Sequence, residues 1–231
     1  MKKVLYIILF ISLFSSKIYS DDDPWRLMNE NTHNFNESID KIISTPIAKA
    51  YLYVTPDILE IGVSNFISNV EDVSVGINNI LQGNISLGFS DFCRVIVNSS
   101  IGVGGLFDIA SKINLEKHDE DFGQTLAVWG VSSGPYLVIP GLGPSTLRDA
   151  FGIIPDSFVS PTLALDDNRA SYTYTAIDVI ETRARYLGLD TLIIGNKYLF
   201  LKNAYLQKRD FEINNGEIED TFDDFEELDF E

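Results

Sequence analysis

The stretch HDEDFGQTLAVWGVSSGPYLVIPGLGPSTLRD, at positions 118–149, is the most informative part of this chain. It combines glycines and prolines, which favour special backbone conformations, with large aromatic residues and only a few charges. Ser132 stands in a Gly-x-Ser-x-Gly spacing at residues 130–134, but no nucleophile in the stretch stands beside a base. We therefore expect no catalytic serine in it.

An apolar segment at residues 136–139 lies between Pro135 and Pro140, which disfavours a helix there. We expect this segment to be extended or rich in turns. The loop that follows holds Gly141 and Gly143, so its backbone can adopt a positive φ at two places.

The rest of the body is predicted to be helical, because apolar residues recur at spacings of three, four and seven. The predicted helices begin at capping residues or first-turn prolines, namely Pro24, Pro56, Asp72, Asn84, Ser145, Asn168 and Asp190. Glycines are expected to end several of them, at Gly83, Gly102, Gly152 and Gly188, and the last is expected to run to Arg209. The predicted fold class is mostly α, with one domain at residues 21–209 and Gly/Pro-rich loops.

The N-terminus has the pattern of a secretory signal peptide. Lys2 and Lys3 precede an apolar run at 4–14, and Ser20 is the expected cleavage point. The run is shorter than the roughly twenty apolar residues of a membrane-spanning helix, although an uncleaved anchor is the alternative. We expect an exported protein with a signal peptide at residues 1–20.

Cys93 is the only cysteine, so an internal disulfide is impossible. We therefore expect stability to come from one sizeable apolar core. Cys93 itself lies beside an apolar stripe and is expected to be a small buried residue rather than a reactive thiol.

The formal charge of −17 is concentrated at the C-terminus. Residues 210–231 carry eleven carboxylates and no Lys or Arg, which leaves −6 for the rest of the chain. Such acidic runs are typical of disordered, solvated tails, but the aromatic residues in this one also suit a segment that folds on a partner. Nucleic-acid binding is disfavoured because no basic cluster is present to neutralise phosphates.

Motifs for metal or cofactor chemistry are missing. The two histidines, His33 and His118, stand in no HExxH motif, and a single cysteine excludes CxxC. The glycines at 102–105 lack the third glycine of a dinucleotide loop, because Phe107 stands there. We expect no enzyme activity, no metal and no cofactor.

Two arginines carry alternative interpretations. Arg148 next to Asp149 either pairs with it or reaches a lipid phosphate, since a guanidinium group matches phosphate geometry. Arg94, in a helix rich in Phe and Ile, allows the same two interpretations. Trp129 and Tyr136 are either core residues or aromatic residues of a membrane interface.

Short motifs along the chain resemble those of the VacJ/MlaA family. They are Asp23-Pro24-Trp25, Phe35-Asn36, 46–51, 62–66, Leu81-Gln82-Gly83, Arg94, 97–99, 104–110 and nearly all of 118–152. The resemblance covers residues 23–155 strongly and extends loosely to 209. Because the motifs occur in the family's order, the chain is identified as a member.

The resemblance implies a single ring-shaped helical domain, whose amphipathic helices are embedded in the bacterial outer membrane on its periplasmic side. Phospholipids misplaced in the outer leaflet would pass through a central passage to a periplasmic lipid-carrier protein, which maintains lipid asymmetry. Family members associate with trimeric porins. The alternative is a structural or adhesion protein of the cell envelope that moves no lipid.

For such a passage, we expect the lipid path near polar residues and flexible glycines: Asn98, Gln124, Gly141, Gly143, Ser145 and Arg148. The two glycines either let the loop flex or only permit tight turns. The residues expected at the membrane interface are Phe35, Phe66, Trp129 and Tyr136.

One feature departs from the family pattern. Members commonly carry an acylated cysteine at the signal cleavage site, whereas residues 15–23 contain no cysteine. Acylation is therefore not expected, and attachment would depend on apolar helix faces, a porin partner or a retained N-terminal segment.

Overall fold

A computed structural model describes residues 23–160, 168–189, 193, 195–214 and 216. The predicted signal peptide, the predicted helix start at Asp190 and residues 217–231 of the predicted tail lie outside this part. Within it the chain is mostly helical, which confirms the predicted fold class. In chain order the elements are α1 (Arg26–Ile39), a π-helical turn (Asp40–Ser44), α2 (Thr45–Val54), α3 (Asp57–Leu81), α4 (Ile85–Ser100), a 3₁₀ turn (Ser111–Ile113), α5 (Phe122–Val128), β1 (Tyr136–Ile139), β2 (Gly143–Thr146), α6 (Leu147–Val159), α7 (Asn168–Tyr186) and α8 (Lys197–Ile213).

Helix α3 is continuous over 25 residues, so the predicted separate helix beginning at Asp72 is wrong. Asp72 does not cap a helix, because its buried carboxylate accepts a hydrogen bond from Nε of Arg94 on α4 at 3.1 Å. The predicted end at Gly83 is confirmed, since this glycine has a φ of 94° just after the helix.

Helix α6 is longer than predicted and starts one residue later. Its N-cap is Thr146, whose hydroxyl accepts a hydrogen bond from the amide of Asp149, so the predicted cap at Ser145 is wrong. The predicted end at Gly152 is also wrong. A Cβ there would lie 2.7 Å from the amide nitrogen of Gly123, so this glycine permits α5 and α6 to approach closely and does not stop the helix.

Helix α8 begins after Asn196, whose Oδ1 accepts a hydrogen bond from the amide of Leu199 at 3.1 Å. It runs to Ile213, past the predicted end at Arg209. Arg209 is not in the last turn of this helix, and its buried side chain pairs with Asp121 and Asp149 of other elements.

Strands β1 and β2 form an antiparallel hairpin, in which Tyr136 pairs with Thr146 and Ile139 with Gly143. The predicted extended segment is therefore confirmed. The turn has φ values of 79° at Gly141 and 96° at Gly143, as their residue type predicted.

Two asparagines of α1 attach this hairpin to the helix. Asn29 donates to the carbonyl of Tyr136 at 3.0 Å and accepts from the amide of Val138 at 2.9 Å. Asn36, two turns further along, makes the same pair of bonds at the end of the strand, at 2.9 and 2.8 Å. The amide side chains thus pair with β1 much as a third strand would.

Polar side chains fill most of the interior. Among the described residues, eight of those buried are hydrophobic and sixteen are polar or charged. The expected apolar core is therefore wrong, and so is the expected burial of Cys93, which is exposed. Large apolar side chains face outward instead, such as Ile58, Phe89 and Phe158, which are 69%, 62% and 71% exposed. None of the helices in the described ranges is both long and apolar enough to cross a membrane.

Candidate functional site

The structure places the predicted lipid-path residues in three separate regions. The hairpin turn holds Gly141 and Gly143, the loop after α4 is held by Asn98, and a buried charged network contains Gln124, Ser145 and Arg148. Only the third region brings several of them together.

The hairpin turn is open. The amide of Gly141 donates to Oδ1 of Asn36, but a Cβ added at Gly141 or Gly143 would meet nothing within 4 Å. Leu142 between them is 69% exposed. Glycine is therefore required at these two places by the positive φ and not by close packing.

Asn98 fixes the glycine-rich loop that follows α4. Its Oδ1 accepts from the amides of Ile109 and Ala110 at 2.8 and 2.9 Å, and its Nδ2 donates to Asp108 at 3.1 Å. Arg94, one turn earlier, is 1% exposed and paired with a buried carboxylate of α3. Both side chains have full sets of internal partners, which favours a structural role for them.

Asp149, in the first turn of α6, is the centre of the charged network. It pairs with Arg148 at 2.9 Å and with Arg209 at 2.9 Å, and it accepts a hydrogen bond from the hydroxyl of Tyr205 at 2.6 Å. Burial alone would raise the pKa of this carboxyl. Hydrogen bonds from Arg209 and Tyr205 and the charges of both arginines outweigh burial and lower its pKa to about 2.

Arg209 joins this network to the start of α5. Its guanidinium group contacts Asp121 at 2.6 Å, Gln124 at 3.3 Å and Glu212 at 3.3 Å. Asp121 and Gln124 also form a capping box, in which each side chain bonds the other's backbone amide. Burial would lower the pKa of Arg209, but hydrogen bonds to Asp121 and Asp149 and the charges of these carboxylates raise it, so the group is a permanent cation.

A cavity of about 460 Å³ lies beside the network, between the loop after α5, the first turn of α6 and the last turns of α8. Two buried arginines, Arg148 and Arg209, reach its wall. The remaining lining combines hydroxyl, apolar and acidic side chains, which include Ser133, Thr146, Val131, Leu206, Ile213 and Asp210.

A second set of charged groups lies between α3 and α7. Glu71 is exposed. Loss of hydration and, to a smaller extent, the negative charge of Asp178 raise the pKa of its carboxyl to about 7, although the positive charge of Lys117 acts to lower it. The rings of Phe66 and Tyr174, 6.5 Å apart, hold the same two helices together.

Three of the four predicted membrane-interface residues are on the surface: Phe35, Phe66 and Trp129 are 54%, 41% and 54% exposed. Trp129 also donates its indole N–H to the carbonyl of Leu81 at 3.1 Å. The prediction that Tyr136 lies at the membrane interface is wrong, because this residue is 5% exposed and packs inside an aromatic cluster with α8.

Sequence reasoning did not identify three residues of these regions, namely Arg209, Glu71 and Asn29. Tyr205 and Arg209 are four residues apart, so helical spacing alone could have placed both on one face of α8. Nothing local indicates that this face meets Asp149, 60 residues away. For Glu71 the sequence offers no signal, because its surroundings come from other elements.

Comparison with known proteins gives consistent matches along the chain. A family model described as "MlaA lipoprotein" matches residues 21–212. The intermembrane phospholipid transport system lipoprotein MlaA of Escherichia coli K12 is 36% identical over 202 residues, which cover 85% of this chain and 80% of that protein. An uncharacterized protein of Rickettsia typhi is 32% identical, over 84% of this chain and 79% of its own length.

A solved structure also matches. It comes from work described as "Structural basis for maintenance of bacterial outer membrane lipid asymmetry", and it is 34% identical in sequence. The match covers 84% of this chain and the whole of that chain, with a TM-score of 0.74. The similarity therefore extends to the fold as well as to the sequence.

Proposed function

We propose, from the premise that this chain belongs to the MlaA lipoprotein family, that it removes misplaced phospholipids from the outer leaflet of the bacterial outer membrane. The lipids would pass through a central channel to a periplasmic carrier, which keeps the membrane asymmetric. The names of its relatives and of the matching structure describe phospholipid transport and lipid asymmetry, and they support this proposal.

The observation that carries the proposal is the inverted distribution of side chains. Sixteen polar or charged residues are buried among the described residues, while large apolar residues face outward along α1 to α6. In water this arrangement would expose an unusual amount of apolar surface. In a lipid layer it is favourable, because acyl chains contact the outward faces and the polar interior stays away from them.

Charged groups around Glu71 suit one wall of a passage. Asp178, Lys117, Asp119 and Arg185 all act on this carboxyl, and they come from α7 and from the loop before α5. Both signs of charge are thus present around the exposed Glu71 carboxyl. A phospholipid headgroup needs such a wet, polar path, whereas its acyl chains can remain against apolar walls.

The proposed transport makes and breaks no covalent bond, so the side chains need only bind and release lipid. The proposed partners are a phospholipid substrate, a trimeric porin in the outer membrane and a soluble lipid carrier in the periplasm. We place the protein at the periplasmic side of the outer membrane. It would be held there by its apolar helix faces, together with the porin or a retained N-terminal segment.

The acidic tail is proposed to bind the carrier. Its aromatic residues alternate with carboxylates from residue 217 onward, just beyond the end of α8. A chain truncated after Gly216 keeps the whole of α8 and removes only this segment. Its affinity for the immobilised carrier, measured by surface plasmon resonance, should fall. An unchanged affinity would exclude the tail as the binding site for the carrier.

Transfer of labelled phospholipid tests the main proposal. Proteoliposomes that contain the full chain and its porin are mixed with the empty carrier, and labelled lipid on the carrier is counted. Transfer above that of porin-only liposomes is expected. Membrane binding without transfer would instead indicate a structural or adhesion protein, and the appearance of hydrolysed lipid would indicate an enzyme.

A further inference from the structure

The two arginines of the 460 Å³ cavity differ in how their charges are balanced. Arg209 pairs with Asp121 and Glu212 in addition to Asp149, so three carboxylates surround it. Among the described residues, Arg148 pairs with Asp149 alone, and it shares this partner with Arg209. The positive charge of Arg148 is therefore the less compensated of the two, although both groups are buried.

Arg148 also keeps one side of its guanidinium group unused. Its Nε and Nη2 lie 3.0 and 2.9 Å from the same carboxylate oxygen of Asp149, whereas no group in the described ranges bonds to Nη1. The residue is 6% exposed and its remaining surface lines the cavity. Arg148 therefore lines the cavity with donors that Asp149 does not use, and phosphate oxygens match the geometry of a guanidinium group.

One face of α8 provides the rest of the cavity chemistry. Leu206, Asp210 and Ile213 are four and three residues apart, so they lie along one side of the helix, and all three line the cavity. The first and last are apolar and Asp210 is exposed at the rim. The cavity thus presents a buried cation, an apolar wall and an accessible anion.

We propose that this cavity binds the zwitterionic headgroup of a phospholipid, with its phosphate at Arg148 and its ammonium group at Asp210. The inference rests on the proposed function, because transport would bring such a lipid to the protein. The apolar wall would contact the glycerol end of the headgroup. A soluble phosphoester with an ammonium group carries the same chemistry, so the test must separate the two sources.

The test uses the purified full chain in detergent micelles and isothermal titration calorimetry. The probes are glycerophosphoethanolamine, glycerol phosphate and inorganic phosphate, and vesicles of phosphatidylethanolamine give the lipid arm. We expect the zwitterionic probe to bind more tightly than the other two. Tighter binding of the vesicle lipid would identify the membrane as the source, and preference for the soluble probe would identify a soluble metabolite.

Three variants locate the contacts. Arg148→Lys keeps the charge but loses the fork of donors, and it should weaken binding of all phosphate probes about tenfold. Asp210→Asn should remove the preference for the zwitterionic probe and leave inorganic phosphate unaffected. Ala127→Leu narrows the cavity without changing a charge and should weaken binding of all probes, which provides a second route if Arg148→Lys fails to fold. Arg26→Gln, at an exposed arginine outside the cavity, is the matched control.

Failure of this inference and failure of the transport proposal are distinguishable. Lipid transfer to the carrier without binding of any soluble probe would overturn the headgroup site and leave transport in place. Binding that survives both Arg148→Lys and Ala127→Leu would equally overturn it. Probe binding without lipid transfer would support the site and contradict transport.

Discussion

Replacing Asp149 with asparagine tests whether the buried network stabilises the fold. The side chain is 8% exposed and pairs with two arginines, so the change removes a charge while keeping the shape. The pKa of Asp149 falls from an ordinary 3.8 to about 2 in the folded chain. At about 1.4 kcal/mol for each tenfold change in acid dissociation, this corresponds to about 2.5 kcal/mol of stability at neutral pH.

The loss in Asp149→Asn should be at least this large. The variant leaves Arg148 buried without its carboxylate partner, and removing one member of a buried ion pair costs about 3–5 kcal/mol. Urea unfolding of the detergent-solubilised chain, followed by circular dichroism at pH 7, should therefore show a decrease of about 2.5–5 kcal/mol. Asp57→Asn, at an exposed carboxylate in the first turn of α3, is the control and should change stability by less than about 1 kcal/mol.

The pH dependence gives a stricter test. Because the folded pKa of Asp149 lies below its ordinary value, its stabilisation is fully present above pH 3.8 and is lost as the pH falls through about 2. The difference between wild type and Asp149→Asn should therefore shrink between pH 4 and pH 2. The other carboxyl groups titrate in both proteins, so their contributions to the free energy of unfolding cancel in the difference. A difference that stays constant over this range, or one below about 1 kcal/mol at pH 7, would refute the reasoning.

Three further results are expected. Asn29→Ala removes two hydrogen bonds to β1 and leaves two buried backbone groups unpaired, so unfolding free energy should fall by about 2–4 kcal/mol in the same urea assay. Replacing both Gly141 and Gly143 with Val should slow lipid transfer, because φ is 79° and 96° at these positions, while secretion and helix content stay normal. Unchanged transfer would contradict a flexible gating loop. Glu71→Gln should raise the melting temperature at pH 8 but not at pH 4.5, because the pKa of this carboxyl is raised to about 7 and stability is lost as it ionises. Equal effects at both pH values would contradict the raised pKa.

Much of the candidate site depends on contacts between distant segments, and local sequence rules miss such contacts. The capping position of Thr146 could not be separated from Ser145 by residue type, since both are good N-caps. The role of Gly152 is also undetermined locally, because a glycine that permits helix contact looks the same as one that ends a helix. Asp72 illustrates the same point, since only its partner on α4 shows that it is an interior ion pair.

The sequence by itself determined the helical character, the family and the special backbone of the hairpin. These properties depend on residue spacing, motif order and the conformational freedom of glycine and proline, all of which are local. Only the tertiary structure decided which side of each helix is buried. Periodicity identifies an apolar face, but it cannot say whether that face meets a core or a surrounding lipid. Here the interior holds polar pairs, such as Arg94 with Asp72 and Arg209 with Asp149. Such pairs bring together residues up to some tens of positions apart, and no local pattern specifies them.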